Sequence, residues 1–134
     1  MPVALIRRVA RHTLGSHRSY YPVNIVITDD KAILALSLKF MGEGRITDVL
    51  AFNIREPEDP PDVALGEVYV NADQAVRAAE QVGTDPETEI ILYIVHGLLH
   101  LLGYEDETEE GRRKMWRKQR LVLEYFGYRL PEER

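Results

Sequence analysis

The chain contains no cysteine among its 134 residues. This absence excludes disulfide bonds and thiolate metal sites, so any bound metal must take histidine and carboxylate ligands. Long hydrophobic runs are also missing, because no stretch approaches the roughly 20 apolar residues that a membrane helix needs. In residues 1–14 arginines interrupt the apolar positions, whereas in a signal peptide the basic residues precede a continuous apolar run. We therefore expect a cytoplasmic protein with no membrane partner.

Charge is distributed unevenly along the chain. The net charge is −5, which argues against non-specific binding to nucleic acid, DNA in particular. Residues 1–45 nevertheless carry a net +4, which leaves −9 for the remainder. A local basic face in the first third is compatible with this asymmetry. The length and the 45% of hydrophobic residues suit a single domain over residues 1–134.

Hydrophobic periodicity predicts an α+β fold, with a small mixed β-sheet packed by helices around a central buried helix. The expected helices cover residues 3–14, 31–41, 72–82, 86–102 and 107–126, and the expected strands cover residues 21–28, 47–54 and 64–71. Asp29 or Asp30, Asn71 and Asp85 are suitable N-caps, and Gly83 and Gly103 are suitable helix ends. The 86–102 helix is apolar on nearly every side, which predicts that it is the buried one.

The last expected helix contains the basic run RRKMWRKQR, residues 112–120. A run of this kind is typical of a solvated helix face, and the alternative interpretation is a stripe that binds nucleic acid. In the solvated-face interpretation, the residues of this helix nearest the core are Met115, Trp116, Leu121 and Val122.

Residues 96–106 read HGLLHLLGYED and carry the clearest chemical signal. His96 and His100 are four residues apart, so both imidazoles project from one helix face. Gly103 permits the left-handed turn after which Asp106 can return to that face. Two imidazoles, one carboxylate and a fourth position open to water form the layout of a catalytic zinc site. Nickel, cobalt and iron also use such ligands.

Other interpretations of these residues stay open. A single histidine on an apolar helix is usually a core residue with a satisfied hydrogen bond, and Asp106 competes with Glu105 as the N-cap of the next helix. The pattern is also similar to the elongated zinc-protease motif. In those proteases a glutamate, the general base, follows the first histidine. Gly97 occupies that position here, which argues against a peptidase.

Three segments of the chain resemble the YbeY family of bacterial endoribonucleases. They are HGLLHLLGYED at 96–106, TDVLAF at 47–52 and GEVYV at 66–70, in the order and spacing of that family. The resemblance implies a zinc-dependent endoribonuclease, specific for single strands, that acts on the 3′ end of small-subunit ribosomal RNA and in ribosome quality control. It further implies one zinc ion per chain, single-stranded or ribosomal RNA as substrate, and small-subunit ribosomal proteins as partners.

Two positions depart from the family pattern. The third zinc ligand of the family is a histidine, and Asp106 occupies that position here; the added negative charge weakens the metal as a Lewis acid. The family arginine linked to RNA activity is replaced by Met41, and Ser37 replaces an asparagine. Arg45 is the nearest substitute, so we expect it and the metal-bound water to be the catalytic groups. The alternative for Arg45 is an ordinary solvated loop charge.

Two functional hypotheses follow for this site. In the first, His96, His100 and Asp106 hold a catalytic zinc, and basic residues such as Lys39 and Arg45 hold the RNA backbone. In the second, the protein is a non-catalytic, ribosome-associated factor that binds RNA or protein and whose metal is structural. The two differ in whether loss of the metal unfolds the chain.

Overall fold

A computed structural model of the chain describes residues 1–18 and 21–134, with no account of the side chains of residues 16–20. The elements follow the expected order: one helix, one strand, one helix, two strands and three helices. Their bounds are α1 (Val3–Arg18), β1 (Val23–Thr28), α2 (Asp30–Met41), β2 (Val49–Asn53), β3 (Gly66–Asn71), α3 (Ala72–Val82), α4 (Pro86–Leu101) and α5 (Glu109–Tyr125). Within the described ranges, no helix is both long and apolar enough to cross a membrane.

The three strands form one mixed sheet in the order β1-β3-β2. The central strand β3 pairs in parallel with β1 and antiparallel with β2, so that Val68 lies between Ile25 and Ala51. Successive side chains of a strand point to opposite faces, and both faces of this sheet are used. The α+β class and the mixed sheet predicted from the sequence are therefore confirmed.

One face of the sheet packs against α4 and the other carries α2. Val68 and Val70 are fully buried on the α4 side. On the opposite side the ring of Phe52 lies 5.3 Å from Phe40 of α2 and 6.0 Å from Tyr69, measured between centroids. The sheet thus separates a closed apolar core from a more open aromatic face.

The helix α4 forms the centre of the core, as predicted. The Asp85 side chain accepts a hydrogen bond from the Thr88 backbone N–H, and Pro86 occupies the first turn. Eleven of its 16 residues are buried. The helix ends before Gly103, whose φ of 98° is in the left-handed region that favours glycine. This turn reverses the chain toward α5.

The start and the buried face of α5 differ from the sequence-based expectation. Thr108 is the N-cap, because its hydroxyl accepts from the Gly111 N–H, so neither Glu105 nor Asp106 caps this helix. Leu121, which the sequence pattern predicts to lie near the core, is 60% exposed. The buried positions are Met115, Gln119, Val122 and Leu123. The first three follow a helical spacing of four and three residues, and Leu121 falls outside that stripe.

Candidate functional site

The structure brings the side chains of His96, His100 and Asp106 to one point. The Nε2 atoms of the two histidines lie 3.1 Å apart. Oδ2 of Asp106 lies 3.5 Å from Nε2 of His96 and 3.6 Å from Nε2 of His100. The side chains are 25%, 28% and 40% exposed, respectively, so solvent and substrate can reach them. The convergence follows from the helical spacing of the histidines and from the chain reversal at Gly103.

These separations fit a tetrahedral metal ion. Bonds of about 2.0–2.1 Å to nitrogen and oxygen in tetrahedral geometry place neighbouring ligand atoms about 3.3–3.4 Å apart. The three observed distances of 3.1, 3.5 and 3.6 Å bracket that separation. The donor set is two imidazoles and one carboxylate, which suits zinc and leaves a fourth position free. The residues present could therefore hold a metal ion with little rearrangement.

A buried glutamine orients the first histidine. Oε1 of Gln119, on α5, lies 2.6 Å from Nδ1 of His96. An amide oxygen can only accept a hydrogen bond, so this contact favours the tautomer of the neutral ring with the proton on Nδ1 and the lone pair on Nε2. That lone pair is the one a metal needs, and such second partners fix the tautomer of ligating histidines. The sequence analysis missed Gln119, because its role depends on how α5 packs against α4.

The backbone around Asp106 is fixed by α5, which leaves its carboxylate for the site. Nη1 of Arg112 donates to the carbonyl oxygens of Asp106 and Glu107, each at 3.4 Å. The first turn of α5 also packs closely against this loop, since a Cβ on Gly111 would lie 2.5 Å from the carbonyl oxygen of Glu105. Because Thr108 is the cap, the capping role considered for Asp106 does not compete for its side chain.

Gly97 faces the sheet at a point of very close packing. A Cβ at this position would lie 2.5 Å from Cγ1 of Val68 and 3.2 Å from Cγ2 of Val49. Real Cβ atoms essentially never approach so closely, so any side chain here would force the helix away from the sheet. The position where the zinc proteases carry their general base is therefore closed to glutamate in this fold. This packing argues further against a peptidase.

The three-residue group opens onto a cleft of about 1040 Å³. His96 and Asp106 line it, together with Asp48 from the TDVLAF segment and Tyr93 from α4. Burial, and the negative charges of Glu89 and Asp48, raise the pKa of the Tyr93 phenol above its ordinary value, so it stays a neutral hydrogen-bond donor. A further wall consists of the α5 residues Arg112, Arg113, Trp116, Arg117 and Arg120.

Arg45 lies apart from this group. Its side chain is 77% exposed and makes an ion pair of 3.8 Å with Glu43, which is 69% exposed. As far as the described residues define the walls of the cleft, Arg45 does not line it. The loop that carries Arg45 is held by the buried Ser37, whose hydroxyl donates to the Glu43 carbonyl and accepts from the Arg45 N–H. Lys39 is exposed beside the ring of Phe40, 5.1 Å from its centroid.

Known proteins resemble this chain over most of its length. The model of the family described as Endoribonuclease YbeY matches residues 3–127. The Endoribonuclease YbeY of Endomicrobium trichonymphae is 32% identical over 129 residues, which cover 96% of this chain and 88% of that protein. The protein of the same name from Thermus thermophilus is 37% identical over 102 residues, covering 75% of this chain and 73% of its own.

A solved structure agrees with these matches. The solution structure of TM1509 from Thermotoga maritima superimposes with a TM-score of 0.57 and 26% sequence identity, and the match covers 91% of this chain and 79% of that one. The family resemblance inferred from the three sequence segments is thereby confirmed. The chain belongs to the YbeY family.

Proposed function

We propose that this chain is a zinc-dependent endoribonuclease, with residues 1–134 acting as one metallohydrolase domain. Its substrate is single-stranded RNA, cut during maturation of the small-subunit ribosomal RNA 3′ end and in ribosome quality control. The observation that carries the proposal is the group of His96, His100 and Asp106, with 3.1–3.6 Å between ligand atoms, at the wall of an open cleft. The relatives named Endoribonuclease YbeY support RNA as the substrate.

The chain's own residues have separable tasks in this proposal. His96, His100 and Asp106 hold the zinc, which when bound supplies Lewis-acid polarisation of the phosphodiester. Gln119 keeps the Nε2 lone pair of His96 directed at the metal position. The open side of the group admits the phosphodiester from the cleft. The participation of Arg45 stays a prediction; an Arg45→Glu variant with an unchanged salt dependence of RNA binding would remove it from the site.

Metal content of the purified protein tests the proposal first. We expect about one zinc per wild-type chain and a sharply lower content in Asp106→Ala, because two histidines alone leave an incomplete ligand set. Glu105→Ala is the matched control, since it removes an adjacent exposed carboxylate that lies outside the ligand group. Equal zinc in wild type and Asp106→Ala would exclude Asp106 as a ligand, and no zinc in either would exclude the zinc site.

A cleavage assay on single-stranded RNA completes this test. Zinc-loaded wild type and Glu105→Ala should cut the strand, and both the Asp106→Ala variant and the chelated wild type should lose that activity. A wild type that carries zinc and leaves every RNA intact would contradict the endoribonuclease proposal without contradicting the metal site.

A second candidate function is a ribosome-associated binding factor with a structural metal. The observation that favours it is Met41, which occupies the position of the family arginine and is exposed. The core argues for the catalytic alternative, because its hydrophobic cluster contains none of the three ligands, which are partly exposed at its edge. Removal of the metal by a chelator should therefore leave the fold intact by circular dichroism. Cooperative unfolding on chelation would favour the structural metal.

A further inference from the structure

The helix α5 presents a row of arginines to the same cleft as the metal ligands. We call Arg112, Arg113, Arg117 and Arg120 the arginine stripe; all four line the cleft beside His96 and Asp106. Arg113, Arg117 and Arg120 are spaced by four and three residues and so lie on one side of the helix, and Arg112 lines the cleft from the first turn. From first to last the stripe rises by about 12 Å along the helix axis. This length can accompany a strand of nucleic acid for more than one nucleotide.

Part of the positive charge in the stripe is not neutralised by the protein. Arg113 pairs with Glu109 at 3.1 Å, and Arg120 pairs with Glu124 at 3.2 Å. Arg117 makes no ion pair with any side chain that the structure describes. Arg112 also lacks a carboxylate partner among those side chains.

The contacts of Arg112 are two backbone carbonyl oxygens, each at 3.4 Å. Two uncompensated guanidinium groups therefore line the cleft of a chain whose net charge is −5.

We propose that the arginine stripe holds the phosphates of single-stranded RNA in the cleft, so that the scissile phosphodiester lies at His96, His100 and Asp106. This inference rests on the proposed function and deepens it by naming the residues that hold the substrate. Guanidinium groups match phosphate oxygens with paired hydrogen bonds and stay charged at every physiological pH. Among the acidic residues that line the cleft, Glu109 pairs with Arg113 of the stripe. The side chains of Asp48, Glu132 and Glu133 form no ion pair with the stripe within the described part of the chain.

The proposal places RNA contacts on α5, in addition to the loop that carries Arg45. The basic run of α5 is more than a solvated face, because four of its six cations face the cleft. The other two, Lys114 and Lys118, do not line it. Lys114 is exposed near the ring of Tyr104, at 5.9 Å from the centroid. The same helix therefore contains both the proposed contacts and a charge-matched control.

The test is equilibrium binding of a fluorescein-labelled, 2′-O-methyl single-stranded RNA to the full chain, measured by anisotropy with chelator present. The 2′-O-methyl groups block attack by the strand's own 2′ oxygens, and the chelator removes the metal that would activate water, so binding is isolated from activity. We expect Arg117→Glu to weaken binding about tenfold and to lower the salt slope by about 0.7, as for one phosphate contact on a single strand. Arg112→Glu should act similarly, and Lys114→Glu should change binding less than about twofold.

The outcomes separate this inference from the proposed function. Selective loss in Arg117→Glu and Arg112→Glu supports the arginine stripe. Equal losses in Arg117→Glu and Lys114→Glu would mean that only the overall charge of α5 matters, and would overturn it. RNA binding that is normal in all three variants would overturn the stripe and leave the endoribonuclease proposal standing. A wild type that binds no RNA either with chelator or when loaded with zinc would overturn both.

Discussion

The helices α4 and α2 pack on opposite faces of the same sheet, and they differ in how firmly they are held. In α4, 11 of 16 residues are buried, whereas in α2 the buried residues are Ile33 and Ser37. The metal-ligand candidates His96 and His100 belong to α4. The RNA-contact candidates of the sequence analysis, Lys39 and Arg45, belong to α2 and the loop after it.

This difference in burial explains why the metal-ligand candidates are held more rigidly than the RNA-contact candidates. A buried helix fixes its side-chain positions to within a fraction of an ångström, as coordination requires, and a site needs such rigid support. The α4 histidines are supported in this way from below by the sheet and from the side by Gln119. Arg45, in contrast, lies on an exposed loop, and its side chain is held by one weak ion pair. An exposed charge of this kind suits loose electrostatic attraction, not the geometry of a reaction.

The largest expected effect comes from removing an α4 ligand. His100→Ala should lower zinc affinity by more than about 100-fold. Loss of a residue that only hydrogen-bonds to a metal ligand already lowers metal affinity by about 10–100-fold. RNA cleavage should fall with it. Arg45→Ala, measured by the same zinc titration and cleavage assay, should keep full zinc affinity and lose at most a few-fold in cleavage. A cleavage defect in Arg45→Ala as large as that of His100→Ala would reverse the comparison of the two regions.

The next effect concerns the partner of His96. Gln119→Leu should weaken zinc binding by about 10–100-fold, because the imidazole loses the acceptor that fixes its tautomer. Gln119→Glu keeps an acceptor oxygen and should restore most of the affinity, which a purely structural role would not predict. Gln81→Leu, an exposed glutamine of the same cleft, is the control. Isothermal titration with zinc measures all three, and equal affinities of wild type and Gln119→Leu would exclude the orienting role.

A smaller effect is expected from the contact between α4 and the sheet. Gly97→Ala should reduce the free energy of unfolding by about 2 kcal/mol, although alanine is the better helix former, because the new methyl group overlaps Val68. In a Val68→Ala background the same change should be neutral or stabilising. Urea titrations of the four proteins measure this coupling. Destabilisation of the same size in both backgrounds would show that Val68 is not the obstacle.

Local chemistry made most of the fold predictable from the sequence. Asp29, Asn71 and Asp85 cap helices by accepting from a backbone N–H three residues later, a short-range interaction that residue type and position reveal. The His96–His100 pair was predictable for the same reason, as was the reversal at Gly103. These features depend on residues within a few positions of one another.

Features that depend on packing between distant segments were not predictable. Gln119 reaches His96 across 23 positions of sequence, through the contact of α5 with α4. The burial of Leu123 in place of Leu121 depends on the rotation of α5 about its axis, which periodicity defines only roughly. The same rotation directs the arginine stripe into the cleft. The basic run itself was visible in the sequence, but the side of the helix that faces the ligands was not.

The smallest expected effect is a change in how stability depends on pH, which would distinguish the contacts of α2 from those of α4. Asp30, at the start of α2, accepts from both terminal nitrogens of Arg77 at 2.8 and 2.7 Å and from Nδ2 of Asn71 at 2.8 Å. The hydrogen bonds from Arg77 and then Asn71 lower the pKa of the Asp30 carboxyl from 3.8 to about 2. Most contacts that hold α4 in the core are apolar and do not titrate, although the buried Glu89 of this helix pairs with Arg134.

Because the folded pKa of Asp30 lies below its unfolded value, the stabilisation from this carboxylate is complete above about pH 4 and is lost as the pH falls toward 2. Asp30→Asn should therefore remove a part of the acid sensitivity measured by urea unfolding between pH 5 and 2. Asp62→Asn, at an exposed loop carboxylate, should leave the profile unchanged. Identical profiles for wild type and Asp30→Asn would mean that packing around Ile33, and not the bonds to Asp30, holds α2.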